Sequence, residues 1–226
     1  MNKESNVYTI IYATIMVVLV AVLLAFTSVS LRSYQKKNED NDKRQQILRS
    51  VHVSISGDET EAKYRELIKE AFLVNDKGQR VEGDAFAVEA SKMFVENTYP
   101  VFVAVVEGQT KYILAMHGAG MWGPIWGYIA VNEDKSTIFG IDFSHQGETP
   151  GLGAEITGMA FSSQFVKKQL FRGSEFKGVA VVKPGKTVQG QDYVDAISGG
   201  SVTSIGVNNM LMNSLNHYVG FFKTNN

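Results

Sequence analysis

Hydrophobic residues are spread unevenly along the chain. Val7 to Leu31 reads VYTIIYATIMVVLVAVLLAFTSVSL, with no charged residue. At 1.5 Å per residue a helix of this length crosses a hydrocarbon core of about 30 Å, so the pattern predicts one transmembrane anchor. A cleaved secretory signal has a shorter apolar core, roughly 7–15 residues, ahead of a small-residue cleavage site. This run is longer and passes straight into polar sequence, so a retained anchor is expected. The stretch KKNEDNDKRQQ that follows has no apolar periodicity and reads as solvated juxtamembrane helix or linker. The pattern divides the chain into a tail and anchor (residues 1–31), a connector (32–50) and one folded domain (51–226).

Within the domain the period changes several times. Asp58 to Asp76 places Ala62, Tyr64, Leu67, Ile68 and Phe72 at roughly helical spacing and predicts a short amphipathic helix. Pro100–Glu107 and Lys111–His117 are β-branched and aromatic runs separated by Gly-Gln-Thr, a hairpin pattern. Further strands are expected at Ile125–Val131, Ser136–Phe143 and Gly178–Lys183, and helices at Ala154–Phe171 and Val202–Phe222. In the last of these, Val207, Met210, Leu211, Ser214, Leu215, Tyr218, Val219 and Phe222 recur at three- and four-residue intervals and form one apolar face. Strands and helices mix without regular βαβ alternation. The expected fold class is therefore α+β, a mainly antiparallel sheet with flanking helices behind a single N-terminal transmembrane helix.

Composition narrows the chemistry. The 226 residues are 44% hydrophobic and carry a net charge of −1, enough for one ordinary core and without the basic patch that nucleic-acid binding needs. The absence of cysteine excludes disulfides, thiolate metal sites and cysteine nucleophiles. Neither a P-loop, nor a G-x-S-x-G elbow, nor a dinucleotide fingerprint after a strand is present. By charge bias, Arg32, Lys36, Lys37, Lys43 and Arg44 after the span, against Lys3 before it, favour a cytoplasmic domain, although large domains can be translocated against that rule.

Three glycine-rich segments remain. GAGMWGPIWG, Gly118 to Gly127, holds two tryptophans whose faces suit either core packing or stacking on an aromatic ring system. HQGETPGLGAEI, His145 to Ile156, suggests successive turns and adds the titratable His145 and Glu148, too few for a metal site. DAISGGSVTS, Asp195 to Ser204, sets hydroxyls around a glycine pair ahead of a helix. Such hydroxyls commonly cap the helix, while the free N–H groups of its first turn suit a phosphate.

Together and in this order, the three segments resemble the FMN-binding domain family, and in particular the C subunits of the bacterial sodium-translocating NADH:quinone oxidoreductases. In that family FMN is esterified through its phosphate to a hydroxyl in the motif Asp-x-x-Ser/Thr-Gly-Ala-Thr, by a separate flavin transferase that uses FAD. The resemblance implies that Asp195, Ser198 and Gly199 match the motif, that Gly200 stands for its alanine, and that Ser201 stands for its acceptor threonine. Thr203, the nearest threonine, is the rival acceptor. The resemblance also implies that Trp122, Glu148, Thr149, Leu152, Gly153 and Lys183 bind the flavin, with no metal and no catalytic residue on this chain. It implies an electron carrier between NADH and ubiquinone or menaquinone, coupled to sodium export. The implied setting is the bacterial inner membrane with the domain in the periplasm, and the implied partners are the rest of the membrane complex and the transferase. Two alternatives stay open: the flavin subunit of the related ion-translocating ferredoxin:NAD oxidoreductase, and a membrane-anchored binding or assembly module without redox function.

Overall fold

A computed structural model describes residues 6–224. Lys3, and with it the extreme ends of the first and last sequence-defined regions, lies outside the described residues. The chain divides into two units, residues 1–43 and 44–226. Helix α1 (Asn6–Arg49) runs through the first and ends in the second. Its apolar part is long and apolar enough to cross a membrane, with a mean hydropathy of 2.7 over its most apolar window. The apolar side chains there are exposed, while Thr14 and Thr27 donate their hydroxyls to the carbonyls of Ile10 and Leu23 at 2.8 Å. Both hydroxyls are thus satisfied inside the helix, as hydrocarbon surroundings require.

The second unit is an α+β domain. After α1 come α2 (Glu59–Leu67), β1 (Ile68–Val74), β2 (Arg80–Val81), α3 (Met93–Glu96), β3 (Tyr99–Val106), β4 (Gln109–Ala119), β5 (Pro124–Asn132) and β6 (Ile138–His145). Then follow α4 (Met159–Ser162), β7 (Phe171–Arg172), β8 (Glu175–Phe176), β9 (Val179–Val182), β10 (Asp192–Asp195), α5 (Ser201–His217) and α6 (Val219–Lys223). The first six strands form one antiparallel sheet ordered β2-β1-β3-β4-β5-β6. The hairpin between β3 and β4 turns on Glu107 and Gly108, both at positive φ, one position earlier than Gly-Gln-Thr. Two central residues at positive φ give the I′ geometry that matches strand twist.

Tyr112 to Met116 of β4 are all buried, so both faces of the sheet are covered. On one face lie α5 and α6, with Tyr112 edge-on to Phe221 at 5.4 Å and the Tyr218 hydroxyl on the carbonyls of Pro100 and Ala115. On the other lies the end of α1. Ile47 and Leu48 are fully buried, Trp126 donates its indole N–H to Gln46 at 2.9 Å, and Arg49 grips Asp142 with two bonds of 2.8 and 3.0 Å. The folded unit therefore includes the last turns of the segment read from sequence as connector.

Two expected helices are corrected. Asp58–Asp76 is helical only to Leu67, and Ile68–Val74 pairs with β3. The hydrogen-bonding edge of β3 outweighs a helical spacing carried by few residues. Ala154–Phe171 is a 3₁₀ turn at Gly153–Thr157, the one-turn helix α4 and a second 3₁₀ turn at Ser163–Phe165. Gly158 is extended and breaks the run, letting Phe161 and Phe165 both pack at 5.5 Å on Phe143. The expected C-terminal helix is present but interrupted at Tyr218 between α5 and α6.

Candidate functional site

The three glycine-rich segments meet around the carboxylate of Glu148, which is only 4% exposed. Its Oε1 accepts the backbone N–H of Trp122 at 2.9 Å, and its Oε2 accepts the Thr203 hydroxyl at 2.5 Å. One side chain of the middle segment thus holds both the first and the third. The Glu148 N–H in turn donates to His145 Nδ1 at 3.2 Å. Burial by itself raises the Glu148 pKa, but the hydrogen bonds from Thr203, Trp122 and Met121 outweigh it and hold the carboxyl below its ordinary range.

The turn after Glu148 is closed by the Thr149 carbonyl, which accepts the N–H groups of Leu152 and Ala154, each at 3.1 Å. Thr149 itself is exposed, and Leu152 projects against Gly199. Gly153 is buried, and a Cβ there would overlap both Glu148 Oε2 and Thr203 Oγ1. Its missing side chain is what lets the middle segment reach α5.

The third segment leaves the sheet-like pair β9–β10, whose parallel register sets Val182 beside Asp195. Lys183 follows directly, at the same end of the pair as Asp195. The peptide of Asp195 is clamped by Gln164, whose amide accepts its N–H at 2.9 Å and donates to its carbonyl at 3.4 Å. Ser204 Oγ accepts the Ile197 N–H at 3.0 Å and ties the loop to α5. Ser198, Gly199 and Ser201 are exposed, whereas Gly200 is buried. Gly200 precedes α5 without a side-chain cap. The hydroxyl of Ser201 makes no hydrogen bond among the described residues, and the N–H groups of Ser201, Val202 and Thr203 have no partner there.

The two hydroxyls weighed as acceptors therefore differ sharply. Ser201 stands exposed at the first residue of α5, while Thr203 is 2% exposed with its proton committed to Glu148. The segments that meet here also carry exposed apolar side chains: Trp122 is 66% exposed, and Met121, Leu152, Val202 and Ile205 are also open. Trp126 is instead half-buried, held by Gln46. The expected set Trp122, Glu148, Leu152, Gly153, Gly199, Gly200, Ser201 and Thr203 is brought together, with Asp195 and Lys183 at the strand ends leading into it. Sequence reading missed the clamp of Gln164 and the tie of Ser204. The hydroxyl cluster signalled Ser204, whereas Gln164 lies in a segment read as continuous helix.

The arrangement suits a phosphate. It offers a free primary hydroxyl, unpaired N–H groups at a helix start and an open indole face, the features a phosphate-bearing flavin needs.

The chain is similar to known proteins over most of its length. The model of the FMN-binding domain family matches residues 120–216, from inside the first glycine-rich segment almost to the end of α5. The C subunit of the Na(+)-translocating NADH-quinone reductase of Vibrio anguillarum is 30% identical over 229 residues, covering 91% of this chain and 89% of that protein. The crystal structure of the corresponding C subunit from Parabacteroides distasonis superposes with a TM-score of 0.85 at 66% identity, over 87% of this chain and 98% of that one. Shewanella oneidensis NqrC superposes with a TM-score of 0.68 at 25% identity, over 82% and 97%. The likeness takes in the sheet and the segments gathered on Glu148, and this chain belongs to the family of Na(+)-translocating NADH-quinone reductase C subunits.

Proposed function

We propose that this chain carries FMN as a phosphoester on Ser201 and serves as an electron relay of the Na(+)-translocating NADH-quinone reductase. The observation that carries this reading is the contrast between the two candidate hydroxyls: Ser201 is exposed and unbonded, whereas Thr203 is buried and engaged. In the attachment step the Ser201 oxygen forms a bond to the flavin-side phosphorus of FAD. The phosphoanhydride bond to the adenylate half breaks, AMP leaves, and the hydroxyl proton passes to a base on the flavin transferase.

FMN, once bound, supplies one- and two-electron chemistry, and the chain supplies binding, orientation and electrostatics. The first N–H groups of α5 neutralise the phosphate. Asp195, Ser198, Gly199 and Gly200 shape the loop that presents Ser201. Trp122, Leu152 and the Thr149–Gly153 turn bear on the ring system, and Lys183 adds positive charge at the end of β9. Covalent attachment keeps the cofactor on an open surface that would bind it only modestly by contact. The anchor holds the domain at the membrane, on the periplasmic side, beside the rest of the complex.

Expression with a flavin transferase, followed by intact mass and peptide mapping, tests this. The chain gains one FMN on the peptide containing Ser201, and Ser201→Ala gains none. A flavin retained by Ser201→Ala overturns the acceptor assignment, and no mass gain on the unaltered chain overturns covalent attachment.

A further inference from the structure

Ser201 and Thr203 are two residues apart at the start of α5. At 3.6 residues per turn their side chains point about 200° apart around the helix axis. Whichever of them faces inward forces the other outward. The rotation of this first turn therefore decides which hydroxyl a phosphate can reach, and the contact that engages Thr203 itself is its Oγ1 donating to Glu148 Oε2. Glu148 is itself fixed from the opposite side by the Trp122 N–H, and Gly153 leaves the space in which the two side chains meet. Ser201 makes no hydrogen bond with Glu148. A phosphate approaching Thr203 would meet a buried carboxylate at hydrogen-bond distance, whereas one approaching Ser201 meets unpaired N–H groups.

We propose that Glu148 is a positioning residue for flavin attachment: through the Thr203 hydroxyl it sets the rotation of the first turn of α5, turning Ser201 outward and withholding Thr203. This rests on the reading of Ser201 as the acceptor. It makes Thr203 necessary as a donor and unused as a nucleophile.

The test measures the initial rate of covalent flavin incorporation into the full-length chain by flavin transferase and FAD, with peptide mapping of each product. Thr203→Ser keeps the donor and incorporates flavin at the unaltered rate, on Ser201. Thr203→Val keeps the shape without the donor and is at least about tenfold slower, the rate equivalent of one lost hydrogen bond to a charged group. Glu148→Gln is also slower, and the Glu148→Gln/Thr203→Val pair is no slower than the worse single variant, because the two side chains act as one unit. An unaltered rate in Thr203→Val, or a Thr203→Ser as slow as the valine variant, overturns the inference while Ser201 stays the mapped acceptor. Independent, additive losses also overturn it, since general destabilisation would produce them. If Thr203→Val does not fold, Glu148→Gln decides alone, and an unaltered rate there overturns the proposal. Flavin mapped to residue 203 in the unaltered chain would instead overturn the acceptor reading beneath it.

Discussion

Glu148 and Asp142 are both buried carboxylates, and their surroundings move them in opposite directions. Three donors hold Glu148 ionised against its burial, whereas for Asp142 burial raises the pKa despite the Arg49 guanidinium. A carboxyl whose folded pKa is depressed stabilises the fold above its unfolded value, and that contribution is lost as the pH falls through the folded value. Glu148 thus makes the protein acid-sensitive. Asp142 acts with the opposite sign, because the folded state takes up its proton first. Urea unfolding from neutral pH downward should show Glu148→Gln losing less stability than the unaltered chain between about pH 5 and 3, the range of ordinary carboxylate titration. Asp142→Asn should lose more. Equal slopes for Glu148→Gln and the parent would mean that the carboxylate is not held as described.

Helix α5 reaches the sheet more closely than side chains normally allow. A Cβ on Gly206 would overlap the carbonyl oxygen of Ala119, and one on Gly118 would meet the Met210 side chain. In an exposed helix Gly→Ala stabilises by about 1 kcal/mol. Here the sign should reverse: Gly206→Ala pushes α5 off β4 and should cost about 1–3 kcal/mol of unfolding free energy, as overpacking does. A rise in the urea midpoint would contradict this packing. Among the elements, the sequence was legible where the pattern was long. The apolar face of α5 and the runs of β3 to β6 were readable, because each repeats its period many times. Ile68–Val74 and Ala154–Phe171 were not, because a vacant strand edge in one case and the Phe143 cluster in the other outweighed a weak local period.

For the whole molecule the informative boundary is Arg44, where the folded unit begins. A chain starting at Arg44 should fold and accept flavin. One starting at Val51 lacks the buried Ile47 and Leu48, each worth about 1.5–3 kcal/mol, and leaves Asp142 without Arg49. Its urea midpoint should fall well below that of the longer chain, and equal midpoints would show that the end of α1 adds nothing to the core. Orientation is open to a direct measurement, since the chain has no cysteine of its own. Ser174→Cys on the exposed β7–β8 turn should react with a membrane-impermeant maleimide added to intact spheroplasts. Protection until lysis would place the domain in the cytoplasm, as the charge bias alone suggests.

The amino-acid sequence by itself determined the anchor, the α+β class, the central strands and the three segments that make the site, since each is a local pattern of apolar spacing or glycine and hydroxyl content. Only the tertiary structure showed that Ser201 is exposed while Thr203 is buried and bonded. Residues so near in sequence have nearly the same local signal, and what separates them is the contact of Thr203 with a carboxylate far away in the chain. The same holds for Gln164 and for the end of α1, whose partners Asp195 and Asp142 lie beside them only after the sheet and its covering helices have formed.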